Sequence, residues 1–364
     1  MQLINSDDYE CLAKSMLEQS IFDYIASGAN DEITLLRNRR AFNNIMLIPR
    51  VLRDVSHIVT DMQILDQRLS MPLLIAPTAF QCLVNPLGEI ATVKAANLKK
   101  IGMVVSTLST VSLEDIASAS TSPLWFQLYF YKNRAISESL VQRAELCGYS
   151  AIVVTIDVPL MGRRESDIRN QFKLPPDLCA KNLKDSDLAS MNCNQPGSHV
   201  KQYTDEHFDK ALTWSDIAWL KSITKLPIIL KGIMHPADAK LALDAEVAAI
   251  IISNHGGRQL DTMPATIDLL RSIATVVNQQ IPILIDGGFR RGADIFKAIA
   301  WGADCVLLGR SILWALAAGG EHAVCSLIQG FHQELLETMT LCGCVSIDDI
   351  KKNGDDIVRL DNQW

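Results

Sequence analysis

Eight short apolar runs, each closing on polar or glycine residues, constrain this chain more than any other feature. They cover residues 71–79, 102–109, 124–131, 151–159, 226–233, 248–257, 281–288 and 305–310. Each run is continuous rather than alternating, the pattern of strands buried on both faces. Segments of helical spacing lie between them, at 89–100, 135–147, 236–243, 265–277 and 292–301. Eight strand–helix units in one chain favour a closed parallel barrel over an open sheet. The expected fold is α/β, a TIM (β/α)8 barrel filling a single domain over 1–364. With 48% hydrophobic residues the chain can bury a large core.

Two segments depart from the repeat. Before the first strand, apolar residues at helical spacing from Cys11 to Ile25 predict a helix over 7–27, with Asp7 and Glu10 as a capping pair and Gly28 as its stop. A second helix is expected over 31–42. Between the fourth and fifth strands, residues 160–213 form a long insertion, rich in Asn, Asp, Lys and Ser from 175 to 203. A loop of that length is either disordered or a functional lid, and a mobile lid is expected.

Charge and cysteine usage exclude several classes. The net charge is −7 with no basic run, so no nucleic-acid footprint is present. The nine cysteines are scattered without a Cys-x-x-Cys pair, and Cys342-Gly-Cys344 is poorly spaced for zinc. Reduced thiols and no metal are expected. The sequence opens without a basic, apolar leader, holds no uninterrupted apolar run near 18 residues and closes on Asp-Asn-Gln-Trp rather than Ser-Lys-Leu. The expectation is a cytoplasmic protein with no membrane partner.

A barrel of this kind carries its site at the C-terminal ends of the strands, and here those ends are polar. Lys231 closes Leu-Pro-Ile-Ile-Leu-Lys. A lysine there either reaches solvent, forms a Schiff base, or holds a fixed cation against a negative group. His255 and Arg258 lie in Ser-Asn-His-Gly-Gly-Arg-Gln, where flexible glycines let both face one small ligand. The histidine can take a proton near neutral pH, and the arginine can grip a carboxylate through two bonds. Asp286-Gly287-Gly288-Phe289-Arg290 after the seventh strand and Gly309-Arg310 after the eighth match the usual phosphate site of barrels. Asp157 could orient His255 or cap a loop, and Arg163-Arg164 could be solvated. By pattern alone Tyr24 is a helix core residue.

Together these segments resemble the FMN-dependent 2-hydroxy-acid oxidase family, whose members include glycolate oxidase and L-lactate oxidase. The likeness runs over residues 9–350. It is carried by Asp-Tyr-Ile-Ala-Ser-Gly-Ala, Ala-Pro-Thr-Ala, Gln-Leu-Tyr, Thr-Ile-Asp, Leu-Lys-Gly, Ser-Asn-His-Gly-Gly-Arg-Gln-Leu-Asp, Asp-Gly-Gly-x-Arg-Arg-Gly and Leu-Gly-Arg. The resemblance implies His255 as the base, with Asp157 stabilising its protonated form. It implies Arg164, Arg258 and Tyr24 on the substrate carboxylate, and Tyr129 near the substrate hydroxyl. FMN contacts would fall on Thr78, Ala79, Ser106, Gln127, Thr155, Lys231 and Ser253, with the phosphate around Asp286, Gly287, Gly288, Arg290, Gly309 and Arg310. A small 2-hydroxy acid and molecular oxygen would be the reactants, with hydrogen peroxide as product, and the assembly a homotetramer.

Rival readings are a Schiff-base aldolase using Lys231, an FMN-dependent isomerase, a binding barrel without catalysis, and a soluble dehydrogenase using another acceptor. One departure from the family pattern concerns specificity. Leu108 stands where glycolate oxidases usually carry a tryptophan, which opens space beside the substrate α carbon. L-lactate is therefore expected to be preferred to glycolate.

Overall fold

The computed structural model describes residues 3–183 and 197–361 of the chain. Eight parallel strands close into one barrel: β1 Leu73–Ile75, β2 Gly102–Val105, β3 Leu124–Leu128, β4 Ala151–Thr155, β5 Ile228–Ile233, β6 Ala249–Ile252, β7 Ile283–Ile285 and β8 Cys305–Leu308. Each pairs with its neighbours in sequence, and β8 pairs with β1, Val306 opposite Leu73, to complete the ring. All eight expected runs contain one strand, each shorter than its run. In most runs the residues after the strand are loop or helix at the barrel mouth, which is where the polar residues lie.

Alternation along the strands explains the interior. Successive side chains point to opposite faces, so alternate residues fill the barrel: Leu74, Val104, Trp125, Val153, Ile229, Ile251, Leu284 and Cys305 form one buried cluster. Ile64 and Leu69, from a hairpin pairing Met62–Ile64 with Gln67–Leu69, join that cluster. Trp125 also donates from its indole nitrogen to Gln67 Oε1 at 3.1 Å. The hairpin thereby seals the end opposite the active face. Outward-facing residues pack against the surrounding helices in a second, larger cluster.

The N-terminal region differs from expectation in detail. The single helix expected over 7–27 is two, α1 Ser6–Met16 and α2 Gln19–Ala26, because Leu17 and Glu18 leave helical geometry. The cap of α1 is Asn5, whose side chain accepts from Asp7 and Asp8 N–H while Asp8 reaches back, so the expected Asp7–Glu10 pairing is not the capping box. Helix α2 ends before Ser27 rather than at Gly28. Helix α3 covers Ile33–Arg40 and runs into a short 3-10 turn, Ala41–Asn44.

The insertion after β4 is more structured than a bare loop. It holds the helices Glu165–Arg169 and His199–His207, and Phe172, Tyr203 and Phe208 are buried. Residues 184–196, within its most polar part, lie outside the described residues. After β8 the helix Arg310–Cys342 is long and apolar enough, by length and composition, to cross a membrane, which no uninterrupted run in the sequence suggested. Two thirds of its apolar window (67%) is buried in the fold against α1 and the helix Gly88–Lys99, the placement of a core helix. It is also broken at Gly319-Gly320.

Candidate active site

The next inward-facing position on each strand, one step beyond the hydrophobic layer, falls at the C-terminal mouth. Counting by two gives Ala76, Ser106, Gln127, Thr155, Lys231, Ser253, Asp286 and Leu307. Six of these eight are polar, and they form two bonded groups around the ring. Gln127 Oε1 accepts from Ser106 Oγ at 3.4 Å, and Gln127 Nε2 donates to Thr155 Oγ1 at 3.0 Å. Lys231 Nζ donates to Ser253 Oγ at 2.8 Å and lies 3.1 Å from Asp286 Oδ2.

Lys231 is buried, and a buried ammonium is expensive unless paired. Burial pulls its pKa down, but Asp286 and then Asp157 more than reverse this, and the net shift is upward. An aldolase lysine requires the opposite shift, since its amine must be unprotonated to attack. Of the three roles open to this residue in the sequence, the fixed cation is the one this environment supports.

Above the ring, residues 254–258 form a tight turn. His255 adopts a left-handed conformation, φ 56°, sparsely populated by non-glycine residues. Gly256 and Gly257 follow with φ 64° and 76°, and a Cβ on Gly257 would stand 2.6 Å from the Leu35 nitrogen. The turn thus needs glycine both for its backbone and for α3 to approach. It directs His255 Nδ1 to Asp157 Oδ1 at 3.1 Å, so Nε2 is the nitrogen left for a ligand. Burial lowers the His255 pKa below its ordinary value, and Asp157 only partly restores it. The resting imidazole is therefore neutral near pH 7, the form a base requires. For Asp157, burial pushes upward, while His255 and Lys231 outweigh it and hold the carboxyl below the usual range.

The cationic side of the cleft comes from the insertion and from this same turn, backed by aromatic side chains. Arg164, on the insertion, is 7% exposed, and burial together with Arg258 brings its pKa down to about 10. Arg258 Nη1 donates to the Ile25 and Ser27 carbonyls, and its guanidinium lies 5.3 Å from the Tyr24 ring centre. Tyr24 stacks on Phe172 with centroids 4.3 Å apart. Tyr129 stacks on Phe208 at 4.5 Å, and burial raises its phenol well above the usual range.

Tyr24, Thr78, Ala79, Ser106, Leu108, Tyr129, Arg164, Lys231, His255, Arg258, Asp286, Gly287, Gly288, Arg290, Gly309 and Arg310 all line one cleft, of about 1410 Å³ free of protein atoms and partly open to solvent. Gln127, Thr155, Asp157 and Ser253 stand behind that lining and act on it through the bonds above. Two arginines proposed from sequence for a phosphate are already engaged. Arg310 donates to the carbonyls of Ile25, Gly256 and Ser27. Arg290 pairs with Glu10 at 3.0 Å and covers the Trp314 ring at 4.1 Å.

Sequence reasoning missed the groups that hold this turn in place. Asn38 and Asn254 exchange two amide hydrogen bonds, each 2.8 Å. Asp261 accepts from the N–H groups of Asp31, Ile33 and Thr34, fixing the start of α3. Gln259 Nε2 donates to the Asp157 and Leu160 carbonyls. Gln259 and Asp261 lay inside the motif around His255, and that proximity was the available signal. Nothing local marked Asn38.

The donor set suits FMN: an apolar floor at Ala76 and Leu307, a polar ring ending in a fixed cation, and an end built from Gly287–Gly288 and the start of a long helix. Asp286 Oδ1 is buried without a hydrogen-bond partner among the described residues, an acceptor left for a ligand hydroxyl.

Comparison with known proteins agrees. Residues 13–356 match the family model described as FMN-dependent dehydrogenase. Glycolate oxidase 3 of Oryza sativa subsp. indica is 46% identical over 97% of this chain and 96% of its own. An L-lactate oxidase from a Nostoc species is 48% identical over 95% of this chain and 96% of its own. The crystal structure of mandelate oxidase with (S)-4-hydroxymandelic acid superposes with a TM-score of 0.94 at 39% identity, covering 98% of this chain and 99% of that one. With these relatives and this barrel, the chain belongs to the FMN-dependent dehydrogenase family and is an (S)-2-hydroxy-acid oxidase of the glycolate and L-lactate oxidase type.

Proposed function

We propose that the chain oxidises small L-2-hydroxy acids to 2-oxo acids, L-lactate in preference to glycolate, with oxygen as final acceptor. The observation that carries this is the convergence, in one cleft, of a neutral His255 held by Asp157 with the buried Arg164 and half-buried Arg258 guanidiniums. Bound FMN supplies a two-electron acceptor for the α carbon, which oxygen can regenerate with release of hydrogen peroxide. Arg164 and Arg258 bind the substrate carboxylate, and Tyr24 flanks Arg258. Tyr129 hydrogen-bonds the hydroxyl. His255 Nε2 takes the proton, and the resulting imidazolium is stabilised by Asp157 across the 3.1 Å contact. Lys231 holds positive charge beside the position where negative charge develops. Thr78, Ala79, Ser106, Gln127, Thr155 and Ser253 would hold the flavin ring, and Asp286, Gly287, Gly288, Arg290, Gly309 and Arg310 the ribityl phosphate.

Leu108 is 4% exposed and lines the cleft with Val158 and Met161. This apolar wall supports a substrate with a methyl group. One methyl is worth about 1–3 kcal/mol of discrimination. Oxygen uptake with L-lactate should exceed that with glycolate, and Leu108→Trp should move the ratio about tenfold towards glycolate. An unchanged ratio would remove Leu108 as the determinant. A wild-type preference for glycolate would favour the activity borne by the rice relative's name. Anaerobic flavin bleaching without oxygen uptake would mean another acceptor. We propose that the insertion is a lid and the assembly a homotetramer, the state the family resemblance implies; sedimentation tests the latter.

A further inference from the structure

Three cations and the base at the cleft carry a carboxylate at close range. Lys231 lies 3.1 Å from Asp286, His255 3.1 Å from Asp157, Arg290 3.0 Å from Glu10 and Arg39 2.9 Å from Asp294. Arg164 differs. Its carboxylate, Asp167, stands one helical turn on at 3.9 Å, beyond hydrogen-bond reach. Asp167 is 1% exposed, and among the described residues neither of its oxygens has a hydrogen-bond partner, nor does Arg164 Nε. Burial lifts the Asp167 carboxyl above its ordinary range, while Arg258 and Arg164 pull it back.

A buried carboxylate with four empty acceptor positions is costly unless its charge serves the surroundings. Arg164 and Arg258 together carry two positive charges. A monocarboxylate substrate supplies one negative charge. Asp167 supplies the other, from behind.

We propose that Asp167 is the resident counter-anion of the Arg164–Arg258 subsite, a positioning residue that keeps the pair balanced without substrate and weakens its hold on the 2-oxo acid product. This rests on the reading of the two arginines as the carboxylate grip. The sign of the effect separates it from a structural role. Loss of a structural contact loosens the arginines and weakens anion binding. Loss of a competing anion strengthens it.

The test is titration of the FMN-loaded enzyme with pyruvate and with oxalate, read from the flavin absorbance, in wild type, D167N and D167E. In D167N pyruvate should bind about three- to tenfold tighter, and the oxalate dianion should gain more, as expected for removal of a screened charge a few ångströms away. The KM for L-lactate should fall in parallel, and D167E, which keeps the charge, should behave as wild type. The carboxylate makes no hydrogen bond, so the amide gives none up; D167S is the second neutral variant. Unchanged or weaker binding in the neutral variants overturns the proposal while leaving the active-site reading intact. Failure of both to fold with FMN also overturns it, by making Asp167 structural. If wild type binds neither probe, the carboxylate grip itself is wrong and this inference falls with it.

Discussion

The ring at the barrel mouth and the arginine grip above it are built by opposite means. The ring comes from consecutive strands, one residue each, and its members satisfy one another: Ser106 with Gln127, Gln127 with Thr155, Lys231 with Ser253 and Asp286. The grip draws on α2, the insertion and the turn after β6: Arg258 meets main-chain carbonyls and the Tyr24 ring face, and Arg164 faces one carboxylate held off at 3.9 Å. An array paired largely within itself, with Asp286 Oδ1 left open, holds its geometry without a ligand, whereas an unpaired one gains a partner only when an anion arrives. The ring is therefore suited to a resident cofactor and the grip to a substrate that must leave.

That contrast can be broken by substitution. The largest effect belongs to the ring. Lys231→Met leaves Asp286 buried without its cation, which should cost about 3–5 kcal/mol of stability and weaken FMN retention, read by thermal unfolding with and without FMN. Arg258→Met removes half of the grip. Its KM for L-lactate should rise on the order of a hundredfold with FMN content unchanged; lost flavin instead would show that the two regions are not separable. The pH profile sharpens the division further. Burial places the His255 pKa below its ordinary value, so kcat/KM should fall only as pH drops beneath the usual histidine range. Asp157→Asn removes the interaction that raises this pKa, so the acid limb should move to still lower pH while the maximum rate falls. The smallest effect is expected at Asp261→Ala, which frees the N–H groups at the start of α3 and should cost about 1–2 kcal/mol in denaturant titration.

The same contrast decides what could be read from sequence. The barrel was legible because buried parallel strands leave continuous apolar runs, and its polar ring because each run ends in a hydrogen-bonding residue. Lys231, His255 and Asp286 stood out on those grounds. Tyr24 did not, since helix α2 shows it as one more apolar position, and only the family resemblance assigned it to the cleft. Asn38 and Asp167 were illegible for a different reason. Each acts through a partner brought close by folding, Asn254 some 216 positions away in one case and Arg258, from the turn after β6, in the other. The kink dividing α1 from α2 was missed because periodicity records which face is apolar and not whether the axis is continuous. The long helix after β8 escaped because glycine interrupts its apolar run.

The short antiparallel pair joining Ile45–Leu47 to Val358–Leu360 bears on how the enzyme is made. Tyr24 and Asn38 lie just before Ile45–Leu47, and the strand that pairs with Ile45–Leu47 follows β8 in the chain. The barrel itself cannot close until β8 reaches β1. During synthesis, then, α2 must wait for the helix Glu165–Arg169 and α3 for the turn at 255–257 before either can pack. Catalytic competence should arise once β8 has been made and the barrel has closed, rather than accumulate as each strand is added.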